Sequence, residues 1–168
     1  MIVPVEFEVL VEQIRSLTKR IKKLDEQMSE HGKNLKGHKN LVSIKGIGER
    51  SATVLLSMIG DVNDFADEDK LVAYFGMVPR VSESNETVRR GRITKNGSKI
   101  GRTTLVQCTL VAKRYSPYLR RYYERIKCHR GSGKAIIATA RKLLGIIYQT
   151  LKNNWIFEDF PNFVIANT

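Results

Sequence analysis

Between Phe7 and Leu35, apolar residues recur every seven positions in two interleaved series, and this repeat constrains the fold more than any other feature. The first series is Phe7, Ile14, Ile21, Met28 and Leu35, and the second is Leu10, Leu17 and Leu24, with His31 in the last place. No glycine or proline interrupts the repeat before Gly32. A 3.5-residue repeat keeps one narrow apolar seam facing a partner helix, which predicts a coiled coil. The helix is interpreted as a dimerisation arm, with two alternatives: one half of an antiparallel hairpin, or a long core helix.

The remainder of the chain predicts short helices punctuated by glycine, proline and capping residues. We expect helices over residues 38–44, 49–59, 98–115, 117–128 and 134–151, and after the second of these a helix that carries Leu71, Val72, Tyr74 and Phe75. Gly60 is expected to end helix 49–59, and Asp64 or Asp67 to cap the helix that carries Leu71. Residues 80–99 lack a helical period and predict a functional loop that includes a short hairpin. The fold class is therefore all-α. Its parts are a coiled-coil arm (1–37), a helical domain (38–152) and a C-terminal tail (153–168).

The positive charge is concentrated in one half of the chain. Residues 1–79 hold 11 Lys and Arg against 12 Asp and Glu, a net charge of −1, whereas residues 80–168 hold 18 against 5, a net of +13. Such asymmetry indicates a polyanionic partner, and nucleic acid is favoured over a membrane surface or a merely solubilising surface. The N-terminus lacks the features of a signal peptide, and no apolar run is long enough to span a membrane. We therefore expect a cytoplasmic protein without a membrane partner, whose two cysteines are reduced thiols.

The segment that follows residue 44 fits a helix-hairpin-helix, a motif that grips a nucleic-acid backbone. Gly46 and Gly48 flank Ile47, and the second glycine opens a helix. Glycines let the backbone approach a phosphate without a Cβ, and the free N–H groups at the helix start then point at the phosphate oxygens. Lys45 and Arg50 add positive charge. An ordinary glycine-containing turn is the alternative.

A second candidate is the basic loop over residues 80–102. Thr94 and Ser98 are expected to cap the following helix or donate to a phosphate. The basic residues expected to bind nucleic acid here are Arg80, Arg89, Arg90, Arg92, Lys95, Lys99 and Arg102. Downstream, Tyr115, Tyr118, Tyr122 and Tyr123 lie among basic residues, either to stack on bases or to fill a helical interface. We predict no metal site, since the acids of residues 61–69 are typical of helix caps and first-turn acids.

Residues 46–80, 82–99 and 134–154 together resemble the C-terminal catalytic-serine domain of the DEDD-type insertion-sequence transposases of the one-hundred-ten family. The heptad helix is similar to the coiled-coil linker of that family. The resemblance implies a DNA recombinase guided by a structured RNA. It also implies an N-terminal RuvC-like domain, whose acids bind a divalent metal such as Mg²⁺, and nucleoid association in a prokaryote. We expect that domain to be missing from this chain, so that the chain alone binds nucleic acid without completing recombination.

The same resemblance implies a catalytic serine a few residues before the sequence Gly-Arg-Ile-Thr-Lys. Ser84, seven residues before Gly91, falls on that position, and Ser82 is the alternative if the register shifts. The sequence departs from the family pattern on either side, with Glu83 in place of a serine and Asn85 in place of a glycine. Two further functions compete with a transposase domain. One is a non-catalytic module for nucleic-acid binding and dimerisation, and the other is a structural oligomerisation protein.

Overall fold

The computed structural model describes residues 3–84 and 87–156, and for residues 3–4, 81–84 and 87–90 it describes the backbone alone. The described part is mostly helical, as predicted, with seven α-helices and one two-stranded antiparallel sheet. A single 3₁₀ turn covers Val62–Asp64. The elements in chain order are α1 (Val3–Lys33), α2 (His38–Ser43), α3 (Glu49–Ile59), α4 (Glu68–Tyr74), β1 (Pro79–Ser84), β2 (Thr87–Ile93), α5 (Lys99–Tyr115), α6 (Pro117–Arg130) and α7 (Ser132–Lys152).

Capping residues set several of the helix boundaries. The Asp67 carboxylate accepts from the N–H of Lys70 at 2.9 Å and begins α4. Ser98 and Ser116 begin α5 and α6 in the same way. Gly60 ends α3 with a φ of 67°, a conformation that favours glycine. The prediction that Gly60 ends this helix is confirmed, and of the two aspartates considered for the next helix, Asp67 is the cap.

The core forms around α7, whose middle is buried on nearly every side. Leu143, Leu144 and Ile147 are fully buried there, and α7 packs against α4, α5 and α6. Helices α2 to α6 each contribute a fully buried leucine to the same cluster: Leu41, Leu55, Leu71, Leu105 and Leu119. Burial of this apolar surface is the main term that favours folding of the domain. None of the described helices is long and apolar enough to cross a membrane.

Helix α1 packs on this core only through its C-terminal end. Gly32 lies directly against the Thr53 side chain of α3, so a larger residue there would collide with it. Towards the N-terminus the apolar seam is uncovered: Phe7 is 66% exposed, Leu17 56% and Leu24 58%. The long helix is therefore confirmed, and its seam has no partner within the described part of one chain. Whether that seam forms a coiled coil stays a prediction.

The stretch predicted as a loop with a short hairpin contains β1 and β2. Their register pairs Ser82 with Arg89 and Ser84 with Thr87, and it shifts between Pro79 and Val81. The backbone then runs through Thr94, whose N–H donates to the carbonyl of Val78 at 2.9 Å, and into α5. A basic hairpin thus leads directly into the N-terminus of α5.

Candidate nucleic-acid interface

The turn over residues 44–48, here called the glycine hairpin, joins α2 to α3 and is anchored by two isoleucines, and its role as a helix-hairpin-helix stays a prediction. Ile44 is completely buried and Ile47 is 3% exposed. The N–H of Ile47 donates to the carbonyl of Ile44 at 3.0 Å, and the N–H of Ala52 donates to the carbonyl of Gly48 at 2.9 Å. The turn is therefore held from both sides, and α3 begins directly at its second glycine.

The two glycines of the hairpin have different surroundings. Gly46 has a φ of 111°, and a Cβ placed on it would lie 2.6 Å from the backbone nitrogen of Ala112 in α5. Gly48 has an ordinary φ of −83°, and a Cβ there would meet nothing within 4 Å. Gly46 is thus required for packing on α5. Only Gly48 has the open surroundings that approach to a phosphate requires.

The first turn of α3 carries no side-chain cap, since Gly48 cannot supply one. The opening N–H groups of a helix lack intrahelical partners and attract anions, so this end suits a phosphate. Lys45 is exposed beside it. Glu49 is also exposed there, and its carboxylate accepts a short hydrogen bond from Ser29 of α1. That bond, together with nearby Lys33, lowers the pKa of Glu49.

Arg50, predicted to bind nucleic acid, is engaged with α1. Its guanidinium lies 3.1 Å from Asp25, and the two side chains are 65% and 37% exposed. An exposed pair of this kind contributes at most about 1 kcal/mol to stability, so the arginine remains exchangeable. Its contact with nucleic acid stays a prediction. In such a contact, a phosphate would compete with Asp25 for the guanidinium.

The second basic group, here called the basic strand, lies where β2 passes into α5. Arg80, Arg92, Lys95 and Lys99 are exposed there. Arg80 donates to the carbonyl of Thr94 at 3.4 Å, and Lys95 adopts a left-handed φ of 59° while its N–H donates to the carbonyl of Gly76. Thr94 therefore takes part through its backbone, and the cap of α5 is Ser98. These backbone bonds fix the direction of the basic segment.

Arg102 has a structural role that the sequence did not predict. One guanidinium nitrogen donates to the carbonyls of Phe75, Asn96 and Gly97 at 3.2, 3.3 and 3.1 Å. It thereby ties the end of α4 to the segment that enters α5. Hydrogen bonds from a charged donor contribute about 1.5–3 kcal/mol. The predicted contact of Arg102 with nucleic acid is untested, and its described partners lie within the chain.

The predicted nucleophile Ser84 lies at the end of β1, in the last described pair of the ladder with Thr87. Its side chain lies outside the described residues, as do the side chains of Ser82, Glu83, Arg89 and Arg90, and Asn85 lies outside them altogether. The backbone register places Ser84, Arg89 and Arg90 on the same two-stranded ladder.

The two basic groups meet opposite ends of α5. Lys99 begins that helix, whereas Gly46 packs on Ala112 near its other end. Thirteen residues of α-helix separate these points by about 20 Å along the axis. The hairpin and the basic strand are therefore two separate positions along one helix.

An apolar surface beside the glycine hairpin was not predicted. Val111 is 40% exposed and Tyr115 54% exposed, and both line a shallow groove with Lys45 and Gly48. In the sequence, the sign of this surface was Tyr115, which follows Lys113 and Arg114 at the end of α5. Tyr118 and Tyr123 are buried, so for these two tyrosines the structure agrees with the helical-interface alternative.

In the described part of the chain, no group of three or more His, Cys, Asp or Glu side chains is placed to hold a metal ion. Of the acids in residues 61–69, Asp61 accepts from the N–H of Asn63 and Asp67 from that of Lys70. The backbone bond from Asn63 lowers the pKa of Asp61. Both residues act as helix caps, in agreement with the sequence interpretation.

Comparison with known families decides the assignment of the chain. The family model described as "Transposase IS116/IS110/IS902 family" matches residues 38–124, just over half of the chain. The chain belongs to this family. The matched segment begins with α2, includes the glycine hairpin and both β-strands, and ends within α6.

Individual relatives of the chain agree with this assignment. A probable family 20 transposase from Pseudomonas aeruginosa is 30% identical over 97 residues, which cover 58% of this chain and 29% of the relative. The pilin gene-inverting protein of Moraxella lacunata is 32% identical over 123 residues, covering 70% and 38%. The transposase for insertion sequence element IS1111A of Coxiella burnetii is 32% identical over 118 residues, covering 65% and 31%. The chain thus spans about a third of the length of these relatives.

Proposed function

We propose that this chain is the serine-bearing, DNA-binding part of a transposase or recombinase, with Ser84 as the nucleophile that attacks a phosphodiester. The observation that carries the proposal is the position of Ser84 in the last described pair of a strongly basic β-ladder. The match to the transposase family extends through this ladder, since it covers residues 38–124. Relatives that are named as transposases and as a gene-inverting protein support the same class of reaction.

The proposed reaction makes one bond and breaks one at phosphorus. The Ser84 oxygen bonds to phosphorus, the bond from phosphorus to the leaving strand oxygen breaks, and the strand becomes linked through a phosphoserine. The serine proton leaves to a base, and the leaving oxygen gains a proton. Exposed Arg80, Arg92 and Lys95 are suited to stabilise the charge that develops on the phosphate.

A serine hydroxyl is a weak nucleophile and needs activation. We propose that in the intact enzyme the acids of a separate N-terminal domain would hold a divalent metal such as Mg²⁺, which would supply this activation. Among the described residues of this chain, no group of three or more metal-ligating side chains is placed to hold that metal. The part of this chain is therefore to position the serine and the phosphate.

The glycine hairpin is proposed to hold a second stretch of the same backbone. Lys45 and the open side of Gly48 lie about 20 Å along α5 from Lys99. One strand carries a phosphate every 3.4 Å of duplex axis, so about six phosphates separate the two positions. Contacts of this type are independent of sequence. A target sequence would then be selected by another element, and we propose a structured guide RNA for that role.

We further propose that α1 pairs two copies of the chain, since its seam is exposed over more than four helical turns. This gives a domain organisation of an arm (1–37), a nucleic-acid-binding domain (38–152) and a tail (153–168). The arm would place two serine-bearing hairpins in one assembly, as two-strand exchange requires.

The test is a covalent adduct between the intact enzyme and a labelled DNA substrate, resolved after denaturation. Ser84→Ala is expected to abolish the adduct, while Ser82→Ala, two residues away on the same strand, is expected to retain it. An adduct that survives Ser84→Ala would rule out Ser84 as the nucleophile. Loss with Ser82→Ala alone would shift the assignment to Ser82.

A non-catalytic binding module is the second candidate, favoured by Glu83 and Asn85 on either side of Ser84. Both candidates predict an affinity for DNA that falls steeply with salt. The two candidates differ in the covalent adduct with DNA, which a non-catalytic module does not form with any substrate. Absence of both DNA and RNA binding at low salt would leave the structural oligomerisation protein as the remaining interpretation.

A further inference from the structure

A cleft of about 190 Å³ lies between α4, α6 and α7, away from the glycine hairpin and from the basic strand. Its lining combines two acids (Glu68, Asp69), two bases (Arg141, Lys142) and three less polar side chains (Tyr122, Val72, Ala138). Neither the glycine hairpin nor the basic strand contributes to it.

None of the charged side chains that line this cleft forms an ion pair among the described residues. Among the described residues, the only ion pairs are Asp25 with Arg50 and Glu124 with Lys127. The Nε atom of Arg141 is buried and has no hydrogen-bond partner. A buried donor without an acceptor costs about 1–3 kcal/mol and is normally satisfied by water or a ligand. Arg141, which lines the cleft, thus has a donor that no described residue satisfies.

Two features hold the lining in place. The Glu68 carboxylate lies against Gly145 of α7, and a Cβ on that glycine would be 2.7 Å from the Glu68 oxygen. The ring of Tyr122 lies under the guanidinium of Arg125, at 5.4 Å from the ring centroid. Such a cation–π contact steadies both side chains. The acid and the aromatic wall are therefore positioned before any ligand arrives.

We propose that this cleft binds one unstacked guanine base of the bound nucleic acid. Two carboxylates in the lining would repel a phosphate, whereas a neutral base with separate donor and acceptor edges fits a mixed lining. Arginine and lysine donate to the O6 and N7 acceptors of guanine, and a carboxylate accepts from its amino group. An aromatic side chain supports the face of an unstacked base. The cleft supplies each of these groups.

The neighbouring surface of α6 suits the backbone attached to that base. Arg121 and Arg125 are exposed, lie one helical turn apart, and make no ion pair within the described residues. Arg120, by contrast, donates to the carbonyls of Lys113 and Arg114 at the end of α5. Arg121 is therefore suited to contact a phosphate beside the cleft, and Arg125 to do so from its place over the Tyr122 ring. The inference rests on the proposed nucleic-acid binding and adds a base-selective contact to it.

The direct test titrates guanosine, which carries no phosphate, into the protein and follows the side-chain Nε–H signal of Arg141 by NMR. Guanosine is expected to shift this signal saturably, and cytidine is expected to leave it unchanged. Asp69→Asn, an exposed change, should weaken guanosine binding at least tenfold. Lys134→Gln, on the same helix α7 but outside the cleft, should leave it unchanged. An Arg141 signal that ignores guanosine would overturn the inference.

A second experiment compares single strands that carry one guanine or, in its place, hypoxanthine, which lacks the amino group. The protein should bind the guanine strand about tenfold more tightly, and Asp69→Asn should remove that preference. Equal affinity for both strands would refute the guanine cleft while leaving the proposed function intact. Guanosine binding without binding of any strand would support the cleft and refute the proposed function.

Discussion

The Nη1 atom of Arg50 in α3 lies 3.1 Å from Oδ1 of Asp25 in α1. This ion pair ties the arm to the helix that begins at the glycine hairpin. The same arginine is the basic side chain closest in sequence to the open end of α3. A single guanidinium thus has two competing partners, a carboxylate on the arm and a phosphate at the hairpin. The competition connects arm attachment with nucleic-acid binding.

Asp25→Asn is expected to release Arg50 to the phosphate. An exposed ion pair is worth about 0.2–1 kcal/mol, so affinity for duplex DNA should rise by at most about fivefold, with little loss of stability. Arg50→Ala should reduce the slope of log affinity against log salt by about 0.9, the value for one phosphate contact. Fluorescence anisotropy over a series of salt concentrations measures both. If neither variant alters binding, Arg50 serves the arm alone.

The sequence predicted the helices well where local chemistry determines them. The bounds predicted for α3 match those observed, because Gly48 and Gly60 stand at its two ends and apolar residues recur between them. Ser98 and Ser116 likewise mark the starts of α5 and α6 through bonds to nearby N–H groups. Such signals lie within a few residues of the boundary, so no tertiary information is needed.

The roles of individual site residues depended on contacts that are distant in the sequence. Gly46 and Gly48 look equivalent in the sequence, but Ala112, 66 positions beyond Gly46, makes them different. Arg102 resembles the basic residues around it, yet it donates to Phe75, 27 positions earlier. An excess of positive charge therefore predicts a basic surface. It does not indicate which of the basic side chains are already bonded within the chain, as Arg102 is.

The different surroundings of the two glycines predict different effects of the same substitution, on stability at Gly46 and on DNA binding at Gly48. Gly46→Ala should lower the free energy of unfolding by about 2–4 kcal/mol, because the φ of 111° is strained for alanine and the Cβ would meet Ala112. Gly48→Ala should cost less than about 1 kcal/mol. It should nevertheless weaken DNA binding, because the new methyl group covers the open end of α3. Urea unfolding and anisotropy give the two quantities, and equal destabilisation by both changes would contradict this distinction.

Arg102→Met should destabilise the domain by about 1.5–3 kcal/mol, because the carbonyls of Phe75, Asn96 and Gly97 lose a charged donor. Lys99→Met, three residues earlier on the exposed surface, should leave stability unchanged and lower DNA affinity. Thermal unfolding together with binding of the two variants separates the roles. A stable Arg102→Met protein with weakened DNA binding would instead assign Arg102 to the interface.

The exposed seam of α1 predicts a dimer that a single polar substitution disrupts. Leu17→Gln should convert the dimer to a monomer in sedimentation equilibrium, because Leu17 occupies a seam position and is 56% exposed in one chain. Lys19→Gln, on the outer face of the same helix, is the matched control and should remain dimeric. The melting of the domain itself should not change with Leu17→Gln. A wild-type chain that is monomeric at high concentration would exclude the dimerisation arm.

The bond between Ser29 and Glu49 makes attachment of the arm depend on pH in a defined direction. The pKa of Glu49 is lowered chiefly by the Ser29 hydrogen bond and next by Lys33, with a smaller contribution from His38. A carboxylate with a lowered pKa stabilises this contact fully when the pH is above the ordinary carboxyl pKa of about 4.3. The stabilisation is lost as the pH falls through the lowered pKa. Carboxyl NMR titration should show that Ser29→Ala raises the pKa of Glu49 towards its ordinary range, and that Lys33→Gln raises it less. A pKa that Ser29→Ala leaves unchanged would show that the bond is absent in solution.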